Sequence, residues 1–107
     1  MQVVVFSKVV KEKDLPFIQA LFDALHHEGI NAFVYRPYLE QLRGKVVFSR
    51  EVGVFEDYRD FKVKQLDYCI TLGGDGTILA ALLYIRDSGA PILGINLGRL
   101  GFLAGIE

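Results

Sequence analysis

The chain carries a single cysteine, Cys69, and no tryptophan. A lone cysteine excludes both an internal disulfide and a cysteine-rich zinc site. No apolar run approaches the ~18 residues that a membrane span requires. The opening residues, "MQVVVFSKVVKEKD", meet charges too soon to be a secretory signal. Basic charge is not in surplus either. Twelve Lys and Arg stand against 13 Asp and Glu, a formal net charge of −1, which leaves little to neutralise a nucleic-acid backbone. These absences describe a reduced, cytoplasmic domain with neither nucleic acid nor a membrane as its partner. The familiar nucleotide signatures are missing as well. From Gly74 the pattern G-x-G-x-x-G fails because position 79 is Leu, and G-x-x-x-x-G-K-[ST] occurs nowhere. The first strand is followed by "SKVVKEKD", which holds no glycine.

What is present is enough apolar material for one core: 51% of 107 residues are hydrophobic, and this length suits a single domain. Val3 to Phe6 reads as a buried strand. Asp14 is placed to cap a helix, with Pro16 in its first turn. Phe17, Ile18, Leu21, Phe22 and Leu25 continue that helix at the right spacing, and Gly29 stands where it should end. Ala32 to Tyr35 reads as a second strand, followed by a short helix from Pro37 to about Gly44. Residues 45–65 have no clear period and read as a strand with a loop or as a peripheral insertion; Lys62 and Lys64 within them read as a solvated face rather than a phosphate patch. From Asp67 the pattern sharpens again. "DYCITL" is a strand, Ile78, Leu79, Leu82, Leu83 and Ile85 mark a helix and its core positions, and Ile92 to Ile95 make the next strand. The β-α-β order predicts an α/β fold of Rossmann-like type, an open parallel sheet with helices on both faces. Leu72 and Asn96 then end parallel strands at one edge of the sheet, where ligands of such folds bind.

Two glycine-rich stretches meet at that edge: Gly73-Gly74-Asp75-Gly76 and "NLGRLGFLAG" from Asn96. Gly73, Gly74 and Gly76 are read as positions of positive φ or close backbone approach, Gly74 above all. The helix that follows aims its N–H groups at a ligand, and Thr77 adds a hydroxyl. All of this describes an anion site, except for Asp75, whose charge would repel bare phosphates. Two resolutions are open. Asp75 accepts a proton from a substrate hydroxyl, or it holds a metal that travels with the phosphates; both belong to phosphoryl transfer. The bland alternative is that Asp75 only caps the helix. His26 and His27 suit the negative end of the first helix. Cys69 reads as a small buried hydrophobe, Tyr35 and Tyr38 as packing residues, and Arg99 as a surface arginine. Asn96 is a candidate ligand contact or a turn cap.

"GGDGT" at 73–77 followed by "GINLGRLGFLA" at 94–104 resembles the NAD kinases. The first element is shared with diacylglycerol and sphingosine kinases and, in related form, with phosphofructokinases; the second is more specific. The resemblance implies phosphorylation of the adenosine ribose 2′-hydroxyl of NAD, giving NADP. ATP or polyphosphate would be the donor, with a divalent metal (Mg) delivered with ATP. It makes Asp75 the proton acceptor and Gly76 an NAD contact. Gly73, Gly74 and Thr77 become the cradle for donor phosphates, and Phe102 and Leu103 part of the NAD pocket. Position 80 departs from the pattern: many members hold Arg or His there, and this chain has Ala80. The resemblance further implies that residues 1–107 are the amino-terminal domain of a longer, homo-oligomeric enzyme, with a β-rich carboxy-terminal domain beyond. A diacylglycerol-type lipid kinase and a non-catalytic nucleotide-binding module are the alternatives.

Overall fold

The computed structural model describes residues 1–60, 64–85 and 88–97, apart from the side chain of Asp75. Strand β1 (Gln2–Phe6) leads through a 3-10 turn (Glu12–Asp14) into helix α1 (Leu15–His27). Strand β2 (Asn31–Tyr35), helix α2 (Arg36–Leu42) and strand β3 (Gly53–Phe55) follow. Strand β4 (Tyr68–Leu72), helix α3 (Asp75–Ile85) and strand β5 (Ile92–Ile95) complete the described elements. The strands form one five-stranded sheet in the order β3-β2-β1-β4-β5, and every neighbouring pair is parallel. The expected α/β, Rossmann-like sheet is the observed one.

A parallel sheet covered on both faces needs strands that are apolar on both sides. The alternation along β1 shows how this is met. Val3 and Val5 join Ile18, Phe22 and Leu25 of α1 and Leu39 and Leu42 of α2 on one face. Val4 and Phe6 join Cys69, Ala81 and Ile85 on the other. Helices α1 and α2 thus cover one face of the sheet and α3 the other. Burial pushes the Cys69 thiol up to about 12, so it packs as a hydrophobe. Helix α1 ends as its sequence predicts. Gly29 sits at φ +74°, its N–H donates to the His26 carbonyl (3.1 Å), and the Ile30 N–H donates to the Leu25 carbonyl (2.9 Å). This pair of bonds is the Schellman ending, which requires a left-handed residue.

Three expectations need correction, and one open reading is decided. Asp14 stands at the N-cap position of α1 but makes no side-chain capping bond, because the preceding 3-10 turn already folds its backbone back, with its N–H donating to the Lys11 carbonyl at 2.9 Å. Of the two readings open for residues 45–65, the strand with a loop is the observed one: β3 pairs Gly53 to Phe55 with Phe33 to Tyr35, and three residues at a sheet edge are too few to show a period. Lys64 is tied locally, its Nζ donating to the Val54 carbonyl at 2.6 Å, while Lys62 lies outside the described residues. The core face of α3 is also not the one expected. Ala81 and Ile85 are buried, whereas Leu79, Leu82 and Leu83 are 65%, 48% and 71% exposed. A helix apolar all round has no stripe to reveal which side meets the sheet.

His26 is buried and its Nδ1 lies 3.0 Å from the Ser49 hydroxyl. Tyr38 is fully buried, and burial, aided by the nearby Asp14 charge, raises its phenol above the ordinary value. Tyr35 meets Tyr84 hydroxyl to hydroxyl at 2.7 Å, and burial with that bond raises it to about 12. Both tyrosines are packing residues. No described helix is long and apolar enough to cross a membrane.

The corrected core yields a test. Phe22→Ala removes a ring that is fully buried and should lower stability by about 3–5 kcal/mol. Leu79→Ala, on the exposed side of α3, should change it by less than about 0.5 kcal/mol. Urea midpoints of the two variants check the contrast, and equal losses would contradict this assignment of faces.

Candidate active site

The order of strands creates the site. The chain steps outward from β1 to β2 and β3, then returns to the other side of β1 as β4. The helices after β1 and β4 cover opposite faces, so the loops at their carboxyl ends diverge and leave a gap, the usual ligand position in open α/β sheets. A crevice of about 360 Å³ lies there, within the usual size range of small-molecule sites. One wall is the loop after β1, with Ser7, Lys8, Lys11, Lys13 and Asp14. The opposite wall is Leu72, Gly73, Gly74 and Thr77, and Asn96 and Leu97 close the side beyond β5.

The glycine loop is fastened at its root. The Gly73 N–H donates to the Ile95 carbonyl at 2.9 Å, and the buried Ser7 hydroxyl donates to the Leu72 carbonyl. Three strand ends are thereby joined beneath the loop. Gly73 has φ +150°, and a Cβ there would run into the Thr77 hydroxyl. Gly74, in contrast, has no positive φ, and a Cβ on Gly74 or Gly76 would meet nothing within 4 Å. The expected positive φ therefore belongs to Gly73 and not to Gly74. The sharp reversal from strand to helix occurs at the first glycine, which leaves the next two free of strain.

Helix α3 begins at Asp75, and the Gly74 carbonyl accepts from the N–H groups of Thr77 (3.0 Å) and Ile78 (3.4 Å). Gly74 is therefore the N-cap, and Asp75 is the first helical residue. An acidic residue in the first turn is still favoured by the helix dipole, and the first N–H groups of the helix are left without carbonyl partners of their own. These donors open beside the crevice. Helix and sheet approach closely behind them: a Cβ on Gly94 would lie 2.7 Å from the Ile78 side chain.

Of the residues singled out from the sequence, Gly73, Gly74, Thr77 and Asn96 line one crevice. Asp75 and Gly76 sit beside it at the start of α3. Phe102, Leu103 and Arg99 lie outside the described residues. Sequence reasoning passed over the loop after β1 because it has no glycine. The signal there was three lysines within eight residues of the strand end, and only the strand order turns them toward the glycine loop. Among the described residues no group of three or more His, Cys, Asp and Glu side chains is placed to hold a metal ion.

Comparison with known proteins follows the same lines. A protein-family model described as the ATP-NAD kinase N-terminal domain matches residues 45–107. A protein named NAD kinase from Flavobacterium psychrophilum is 35% identical over the whole chain, which spans 36% of that relative. NAD kinase from Carboxydothermus hydrogenoformans is 42% identical over 73 residues, 67% of this chain and 26% of the relative. NAD kinase from Hydrogenovibrio crunogenus is 52% identical over 55 residues, 51% of this chain and 19% of the relative. The chain thus spans about a third of the length of relatives that match it throughout, as in the 36% above.

The two glycines separate fold from ligand space. Gly73→Ala should destabilise the fold by about 1–3 kcal/mol, through forbidden backbone and the Thr77 clash. Gly74→Ala should be neutral or slightly stabilising, within about 1 kcal/mol. Chemical denaturation of both variants decides it; an equal loss would mean that the reversal is shared between the two positions.

Proposed function

The chain belongs to the NAD kinase family as its amino-terminal domain, and on that premise we propose that the intact protein phosphorylates the adenosine ribose 2′-hydroxyl of NAD to give NADP. The observation that carries the reading is the crevice where the glycine loop, the start of α3 and the loop after β1 converge. ATP or polyphosphate is the donor. The ribose oxygen attacks the terminal phosphorus, the bond from that phosphorus to the bridging oxygen breaks, and the remaining phosphate chain leaves with the electron pair. The hydroxyl proton passes to Asp75. A carboxylate is a weak base, so Asp75 mainly orients the hydroxyl and accepts the proton late, as catalytic aspartates of kinases do.

The residues around it share the remaining work. Gly73 sets the reversal that brings Asp75 to the first turn of α3. Gly74, and Gly76 two residues on, leave open space for the ligand, and the N–H groups of that first turn with the Thr77 hydroxyl receive donor phosphates. Asn96 closes the side of the site, and Phe102 and Leu103 contribute to the NAD pocket. Ala80 takes no part in holding charge. Magnesium bound to the donor would supply neutralisation of its phosphate charge. The rest of the NAD pocket comes from a β-rich carboxy-terminal domain, and the intact protein is a cytoplasmic homo-oligomer.

Asp75→Asn in the intact protein tests the chemistry. The change preserves size and removes base and charge, and it should lower kcat by about 10²–10⁴-fold while leaving the melting temperature nearly unchanged. Near-normal turnover with an unchanged pH profile would remove Asp75 from catalysis.

Residues 1–107 alone offer one side of the dinucleotide site. Since small-ligand sites bury most of the ligand, this piece should unfold cooperatively, bind NAD weakly or undetectably in calorimetric titration, and form no NADP. Micromolar affinity or steady NADP formation would show that the second domain is not needed.

A further inference from the structure

The loop after β1 has a feature that neither the glycine motif nor the family match explains. Lys8, Lys11 and Lys13 all line the same crevice, on the side facing Gly73, Gly74 and Thr77. Their positions are held by the fold. The Gln41 side chain of α2 grips the loop from both directions, its Nε2 donating to the Lys8 carbonyl at 2.7 Å and its Oε1 accepting from the Val10 N–H at 2.9 Å. The 3-10 turn then fixes Glu12 to Asp14. Glu12, the acidic residue between two of the lysines, turns away to pair with Lys45 at 2.9 Å. None of the three lysines has an ion-pair partner among the described residues. The acidic side chain among the described lining residues is Asp14, which is 6% exposed and makes no capping bond. Three lysines against one carboxylate leave this wall positive in a chain whose net charge is −1.

A solvated face would scatter such charges outward. Here they line a recess whose far wall offers backbone N–H groups and a hydroxyl, and both walls favour an anion. We propose that Lys8, Lys11 and Lys13 bind the linear phosphate chain of the donor, opposite the glycine loop. The inference rests on the kinase reading and extends it by assigning the donor's phosphates to the β1 side of the crevice. Ammonium groups act as flexible point charges on phosphate, and several along one wall suit a chain of phosphates better than a single one. They hold the charge of the chain while the terminal phosphoryl group faces Asp75. The shared ligand chemistry is a run of at least three phosphates, whether it belongs to a nucleoside triphosphate or to inorganic polyphosphate.

The triple variant Lys8→Gln, Lys11→Gln, Lys13→Gln in the intact protein tests this. All three side chains are exposed, so the melting temperature should be preserved. Each neutralised charge should raise the KM for ATP about fivefold, and the KM for NAD should stay near wild type. The salt dependence of the ATP KM should flatten in the variant, because fewer ion contacts remain to be screened. Inorganic tripolyphosphate should compete with ATP in the wild type and lose that competition in the variant, and assays with polyphosphate as the sole donor separate the two donor sources. Arg43→Gln serves as the control, removing a cation that pairs with Glu40 and does not line the crevice, and should leave the ATP KM unchanged. A triple variant with wild-type KM for ATP and unaltered competition by tripolyphosphate would overturn the assignment. If the intact protein makes no NADP at all, the kinase reading fails separately. Direct titration of wild type and variant with tripolyphosphate then decides the lysine wall, and equal affinities overturn it.

Discussion

The structure depends on a parallel sheet that must be covered on both faces while a single chain threads through it. β1 sits at the centre, hydrogen-bonded to β2 on one side and β4 on the other. Because Val3 and Val5 point to one layer and Val4 and Phe6 to the other, neither face of the central strand tolerates water. The helix following β1 takes one face, and the helix following β4 takes the other. Two loops that start side by side are therefore pulled apart, and the crevice is the space left between them. Function in this fold is a by-product of covering the sheet.

That space is useful because its rims are stiff. The Ser7 hydroxyl on the Leu72 carbonyl and the Gly73 N–H on the Ile95 carbonyl join β1, β4 and β5 just below the glycine loop. Gln41 does the same for the opposite rim, satisfying the backbone of Lys8 and Val10 from α2. Groups held this way need little reorganisation when a ligand enters, which favours both binding and transfer chemistry. The aromatic cluster of Phe6, Tyr35, Phe55 and Tyr84, with the Phe6 and Tyr35 rings 4.6 Å apart, braces the other face behind β1. Gly94 lets α3 settle onto β5 at close range.

Legibility from sequence followed local physics. The carboxyl end of α1 was readable because a Schellman turn needs a left-handed residue, and Gly29 supplies it. Strand β4 and the start of α3 were readable because a β-branched run meets a glycine cluster. The edge strand β3 was not, since three residues cannot show a period and its pairing with β2 is decided at long range. The buried side of α3 was hidden for a different reason. Every residue from Ile78 to Leu83 is apolar, so only the position of the sheet selects the buried side.

The same division runs through the site. Composition and motif alone determined the α/β class, the glycine loop and the acidic residue within it, because turn chemistry and hydrophobic alternation act over a few residues. Tertiary structure decided which glycine bears the strain: Gly73 takes positive φ at the reversal from strand to helix, with its N–H tied to the Ile95 carbonyl. The Gly74 carbonyl accepts from the Thr77 and Ile78 N–H groups, which makes Gly74 the backbone N-cap of α3. Tertiary structure also brought Lys8, Lys11 and Lys13 to the loop that begins at Gly73. Some sixty residues of sequence separate these groups, and only the placing of β4 beside β1 closes that distance.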